Sequence, residues 1–326
     1  MISFRYHIVS IVSVFLALAV GVALGGGPLK GEVDNTLVEQ VKTDRAAKVE
    51  LEAQITSLRS GNTFNDEFAS TVAPSLIGDK LKGRAVTLVL LPTAAQSDVD
   101  GLTDLIGVAG GTVSGTVRIG EQLVDAGDKQ LVDELGNQLE SRATGLTIPP
   151  DASPYERIGA LIGRAIGSKV DAGNEVDAPA TSILSGLSTT SLMSTEGKLD
   201  RRGSLVLFVA GPGQGSAEER QGAATIVNTL VQAVDAGTDG VVLAGPPTSA
   251  RDGGQVKAVR DDLSGGAAED VDGGDVARGR HVVADRLDLP AVAVMALAGQ
   301  SAGETGHYGA VDAANGAMPG AQGQAD

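Results

Sequence analysis

The sequence predicts an α/β protein behind a membrane segment: one N-terminal transmembrane helix, a short coiled-coil stalk, and a mostly parallel sheet with helices on both faces. Three observations predict it. An apolar run spans Ile8–Leu24, a heptad-spaced row of side chains lies between residues 37 and 58, and short aliphatic runs alternate with helix-patterned stretches from residue 85 onward.

The apolar run is interrupted only by Ser10, Ser13 and Gly21. As an α-helix it covers about 25 Å, and Tyr6, His7 and the glycines after Leu24 bring it near the roughly 30 Å of a hydrocarbon core. Arg5 and the free N-terminus precede it. The positive-inside rule therefore assigns residues 1–7 to the cytoplasm, 8–27 to the bilayer and the remainder to the outside. A cleaved signal peptide, with Ala23 and Gly25 as the small residues before the cut, is the competing reading. The run exceeds the usual apolar length of about 7–15 residues, and a helical segment follows at once, which favours a retained anchor. Ala17, Gly21 and Gly25 form a small-xxx-small stripe along which two such helices could approach closely.

In residues 30–60, Leu37, Val41, Asp44, Lys48, Leu51, Ile55 and Leu58 recur at alternating spacings of four and three. That is a heptad seam with a polar middle, flanked by Glu, Lys and Arg. It predicts a stalk that pairs through Leu37, Val41, Leu51, Ile55 and Leu58 with a second copy or with another membrane-anchored protein. A single amphipathic helix packed on the globular part is the alternative. Gly61 and Asn62 are expected to end the helix.

Beyond the stalk, AVTLVLLP (85–92) is continuously apolar and closed by Pro, as suits a buried parallel strand. Further strands are predicted at 112–120, 204–211 and 240–247. Helices are predicted near 97–108, 121–140, 155–168, 179–193, 216–236 and 255–263. This alternation predicts a Rossmann-like, mostly parallel sheet in an extracytoplasmic domain over 80–308. The tail from 309 to 326, rich in Gly, Ala, Asp and Gln, is expected to be disordered.

Composition narrows the chemistry. Hydrophobic residues make up 42% of the 326, enough for a core, but aromatics are 2% and Trp is absent, so that core is aliphatic. The net charge of −16 disfavours nucleic acid as a partner. Cysteine is absent, which removes disulfides, thiolate metal sites and thiol nucleophiles together. Gly211-Pro212-Gly213-Gln214-Gly215-Ser216 follows a strand and precedes a helix, where backbone amides could cradle an anion. It lacks the spacing of a dinucleotide fingerprint and the Lys of a P-loop, and Glu218 and Glu219 would repel phosphate. A tight turn with Ser216 as N-cap explains it more simply. Asp270, Asp272 and Asp275 lack the spacing of a calcium loop, and no Ser, His and acid arrangement stands out. No enzyme is predicted.

The opening M-I-S-x-R-x-H-x-x-S with its VFLALAVGVALG run resembles the start of the actinobacterial MctB family, whose members are labelled copper-transport outer membrane proteins and include a SteB branch. The likeness continues through the predicted stalk and returns at Val271-Asp272 and at Gly306-His307-Tyr308-Gly309, which resembles the family's C-terminal GHYG. Between Val283 and Ala298 the sequence departs from the family pattern, and Pro290 is expected to break a helix there. The resemblance implies copper handling at the envelope, in the cytoplasmic membrane or, by the family label, the outer membrane. For the SteB branch it implies a membrane partner and a part in cell separation.

Copper(I) prefers thiolate and thioether ligands, with imidazole also serving copper. Without Cys, the candidate metal ligands are His281, His307 and Met295. His281 lies in GRHVVADR, read as a helix with Asp285 as its i+4 partner, and a surface ion pair is the simpler account. His307 is expected to order a turn. Met193 and Met318 are isolated in sequence. Three functions follow: an envelope protein acting by assembly in copper homeostasis or cell separation, an oligomeric copper-export component, and an exported small-ligand-binding domain. One helix cannot enclose a pore, and nothing resembles the dyad repeats of a membrane barrel, so the first is preferred.

Overall fold

The computed structural model describes residues 4–25, 29–265, 281–284 and 290–319. The chain divides into two units, Met1–Asn65 and Asp66–Asp326.

The first unit contains α1 (Phe4–Gly25) and most of α2 (Leu29–Ile77). Within α1, Tyr6–Leu24 is the one described segment long and apolar enough to cross a membrane, and none of it is buried in protein. Helix α2 is 49 residues long and does not end at Gly61 and Asn62, as the sequence suggested. A helical glycine costs only about 1 kcal/mol relative to alanine. In the second unit the end of α2 recovers more than that by burying Ala73 and Ile77. Helix α2 even passes Pro74, and terminates at Gly78, whose amide bonds the Pro74 carbonyl at 3.1 Å, followed by Asp79 at φ +60°.

The second unit continues through β1 (Ala85–Leu90), α3 (Gln96–Val108), β2 (Thr112–Ile119), α4 (Glu121–Val124), α5 (Lys129–Glu140), α6 (Pro154–Ile166), β3 (Asn174–Glu175), α7 (Ala178–Thr189) and β4 (Met193–Glu196). Then follow β5 (Arg201–Arg202), β6 (Leu205–Val209), α8 (Ala217–Asp235), β7 (Gly240–Gly245), α9 (Gln255–Gly265), β8 (His281–Ala284), α10 (Pro290–Ser301) and β9 (Gly306–Gly309). Among the described residues, seven strands form one sheet in the order β4-β2-β1-β6-β7-β8-β9, and β3 pairs with β5 in a separate ribbon. All pairings in the large sheet are parallel except β2 with β4.

Strand alternation divides the core into two layers, because successive side chains point to opposite faces of a sheet. On one face, Val86, Leu88 and Leu90 of β1 and Leu205, Leu207 and Val209 of β6 pack with α3, α10, Ile77 and Leu81. On the other, Val89 of β1 and Val206 and Phe208 of β6 pack with α5 through α9. A sheet covered on both faces accounts for the unbroken aliphatic runs. Two of its helices are capped as their sequences dictate: Ser153 and Glu156 form a capping box on α6, and Ser216 and Glu219 form another on α8.

Four other expectations are corrected. The stretch 121–140 is two helices around a 3-10 turn at 126–128, where the Asp125 carboxylate accepts from the Gly127 amide. His281 is in a strand: the β-branched pair Val282-Val283 suits a ladder, and β8 is bonded on both sides by β7 and β9. Pro290 begins α10 instead of breaking a helix, since the first helical position needs no amide donor. The tail is described as far as residue 319. Gly309 N bonds Gly316 O at 3.0 Å and Asn315 N bonds His307 O at 3.0 Å, so this segment folds back on β9 and covers the sheet edge. Residues 320–326 lie outside the described residues, as do Asp270, Asp272, Asp275 and Asp285.

Candidate functional site

Chain direction marks the first place to look. From β1 the chain steps to β2 on one side, and from β6 it steps to β7 on the other. In open parallel sheets, ligands bind beyond the carboxyl ends of the strands at such a reversal. A cavity of about 380 Å³ lies there, between Leu91-Pro92-Thr93 after β1 and Pro212-Gly213-Gln214-Gly215 after β6. Thr93 sits at φ +74°, a strained conformation for a β-branched residue, and its Oγ1 donates to the Pro212 carbonyl at 2.9 Å. Gly211 is required beside it, because a Cβ there would run into the Thr93 carbonyl.

The electrostatics of this crevice are unsuited to phosphate. Glu121, Asp125, Glu218 and Glu219 line it and, among the described residues, no Lys or Arg does, the nearby Arg220 donating to the Gly215 carbonyl. Glu219 is committed to the cap of α8, accepting from the Ser216 amide at 2.7 Å, and the bonds from Ser216 hold its carboxyl below the usual range. The glycine-rich run is therefore a strand-exit turn and helix cap, as its sequence suggested, at a position where the fold would tolerate a ligand.

The candidate metal ligands are placed as follows. His281 stands opposite Val242 on β7 and Gly306 on β9, and the structure describes its backbone only. His307 stands one register step on, opposite Val282. Its amide donates to Asn315 Oδ1 at 2.8 Å. Met295 and Met318 are partly buried against the layer that contains α10, and Met193 is in the core. Among the described residues, no group of three or more His, Asp or Glu is placed to hold a metal ion. The GHYG segment serves as a clasped edge strand. Arg260, only 5% exposed, donates to the carbonyls of Tyr308 and Val311, so β9 and the turn after it are tied to α9. Nothing in sequence spacing connected Arg260 to a motif nearly 50 residues away.

Burial, and then the positive charge of Arg260, depress the His307 pKa below its ordinary 6.5. A base held neutral by the fold contributes stability that is complete above pH 6.5 and is lost as pH falls through the depressed folded value. Urea unfolding midpoints should therefore decline between pH 7 and pH 5, and His307→Gln should flatten part of that decline.

The interaction candidates are placed differently. Leu37, Val41, Leu51, Ile55 and Leu58 all lie on α2 and are all exposed, at 46–67%. Lys48, in the polar middle of the row, pairs with Glu52 along the helix at 3.7 Å. In a soluble environment a helix normally turns such a row toward a partner surface.

Comparison with known proteins places the chain in a family. The family model described as "Copper transport outer membrane protein, MctB" matches residues 1–319. The chain belongs to the MctB family. Proteins named copper transporter MctB from Mycobacterium tuberculosis (strain H37Rv) and Mycobacterium bovis are each 28% identical to it over 314 residues, covering 95% of this chain and 96% of theirs. A Mycobacterium leprae protein of the same name is 30% identical over 137 residues, 42% of this chain and 43% of its own. This MctB-family chain therefore matches the M. tuberculosis and M. bovis proteins over nearly their full length, and the family model over residues that run from the apolar helix through the GHYG strand.

Proposed function

We propose that this MctB-family chain is a single-pass envelope protein of the cytoplasmic membrane, N-terminus inside and α/β unit outside, that serves copper homeostasis through protein–protein assembly. Family membership and the names of the mycobacterial relatives support the copper role. Arg5 ahead of the apolar run supports the orientation. Assembly rests on one observation: the heptad row from Leu37 to Leu58 lies exposed along a helix that leads from the membrane segment into the folded unit. Copper is cargo in this reading, and no resident metal site is needed for it. A channel would need several copies, since one apolar helix cannot satisfy the walls of a pore, and paired α2 helices would be its first requirement too.

Because the protein lacks cysteine, any introduced thiol is unique. Leu51→Cys in native membranes should give a disulfide-linked dimer on mild oxidation, whereas Glu50→Cys, off the row, should give little. Equal yields at the two positions, or none at either, would exclude a self-paired stalk.

A further inference from the structure

A larger cavity, of about 850 Å³, lies in the α/β unit between α6, α8 and the segment 145–152, beside the short ribbon of β3 and β5. Its volume is within the range of small-molecule sites, roughly 300–1,000 Å³. Small residues line much of it, among them Ala160 and Gly163 of α6, Ala233 of α8 and Ala236 just after that helix. Charged groups stand at its two ends. Arg164, Lys169 and Arg202 are at one, and Asp151 and Glu156 are toward the other. Along α6, Glu156 and Arg164 are separated by about 12 Å.

The cationic end is out of balance. Arg164 and Arg202 are each only 13% exposed in their side chains and share one carboxylate, Asp177, at 2.7 and 3.7 Å. The other oxygen of Asp177 is occupied in capping α7, accepting from the Ala180 amide at 3.0 Å. Arg202 also donates to the Arg164 carbonyl, which holds the two cations together. Two guanidinium nitrogens, Arg164 Nη1 and Arg202 Nε, are buried beneath the surface without an acceptor, so they add to the uncompensated charge but do not themselves face a ligand. Lys169 lies exposed at the rim and makes no ion pair among the described residues. Burial, and then repulsion from Arg164, lower the pKa of Arg202, the behaviour of a cation short of counter-charge. A surplus of positive charge half withdrawn from water is costly unless an anion completes it.

We propose that this groove binds a small organic carboxylate, held at the Arg164–Arg202–Lys169 end, with Asp151 at the acidic end, where Glu156 is committed to the cap of α6, favouring a ligand that also carries an amine. Two guanidiniums opposed by one carboxylate leave a buried surplus of one charge, to which the exposed Lys169 adds a second, and guanidinium groups grip a planar carboxylate in bidentate fashion. The separation between the charged ends corresponds to an extended peptide of about three residues. The site is independent of stalk pairing, so either can fail without the other.

Tri-alanine and its C-terminal amide are the probes, titrated into the detergent-solubilised full-length protein by calorimetry. The free acid should bind, and the amide should bind at least about tenfold more weakly, the share of one charge-assisted hydrogen bond. Lys169→Glu, an exposed substitution that breaks no contact, should weaken the acid several-fold while leaving the circular dichroism spectrum unchanged. Arg202→Gln should abolish the preference for the acid over the amide if it folds. Equal binding of acid and amide, indifference to Lys169→Glu, or no binding of either up to about 10 mM would overturn the proposal.

Discussion

Phe208→Ala should cost the α/β unit about 4 kcal/mol of unfolding free energy, the largest loss expected from any single truncation in this chain. Phe208 lies in the middle of β6, between β1 and β7, and is 1% exposed. Among the described residues it is the largest fully buried side chain, in a protein with only five phenylalanines and no tryptophan. Its neighbours are aliphatic side chains from α5 to α9, already at close packing, and they cannot collapse into the space of a lost ring. The change is measurable as a shift in the urea midpoint of protease resistance at unchanged slope. A cost under about 1 kcal/mol would mean that the layer repacks, contrary to the reading of a tightly filled aliphatic core.

Ile77→Ala should cost about 3 kcal/mol, and its effect should be localised. Ile77 is completely buried in the layer opposite Phe208, beside Leu81, α3 and α10. It is the last residue of α2. Hydrogen exchange should speed up in the final turns of α2 and around Leu81, whose amide bonds the Ala109 carbonyl at 2.8 Å. Exchange in β6 and β7 should change far less. Leu76→Ala is the control, since Leu76 is 42% exposed and its loss should cost well under 1 kcal/mol. Uniform exchange across the sheet in Ile77→Ala would contradict a local seat for this helix end.

Strands read most easily where both faces are covered. In 85–92, 204–211 and 240–247 every position is apolar or small, so neither periodicity nor a polar face confuses the assignment, and β1, β6 and β7 are found within a few residues of their expected bounds. Strands at the margin of the sheet were harder. Met193–Glu196 has three polar residues in four and pairs antiparallel on one side only, so it shows no strand pattern, and Met193 falls within the helix expected over 179–193. His281–Ala284 and Gly306–Gly309 are four residues each, too short to show a period of two. The length of α2 was hidden for a different reason. Gly61, Asn62 and Pro74 are local breakers, and the burial of Ala73 and Ile77 that overrides them is a tertiary fact.

The candidate sites follow the same division. The exposed row on α2 was fully legible, because a heptad is a property of consecutive sequence. The cationic groove was not. Arg164 and Arg202 are nearly 40 positions apart, and only the return of the chain through β5 brings both to Asp177. The strain at Thr93 was equally invisible, since Thr carries no sequence signal for positive φ.

The strand order carries a consequence for biogenesis. Ser204 Oγ bonds the Ala85 carbonyl across 119 positions, and β1 lies between β2 and the central strand β6 in the interior of the sheet. A nascent chain that has made β1 and β2 must keep an aliphatic edge uncovered until β6 emerges. Such high contact order slows folding and leaves sticky edges open in the meantime. Newly made copies should therefore depend on a holding chaperone for longer than a helical membrane protein of equal length would.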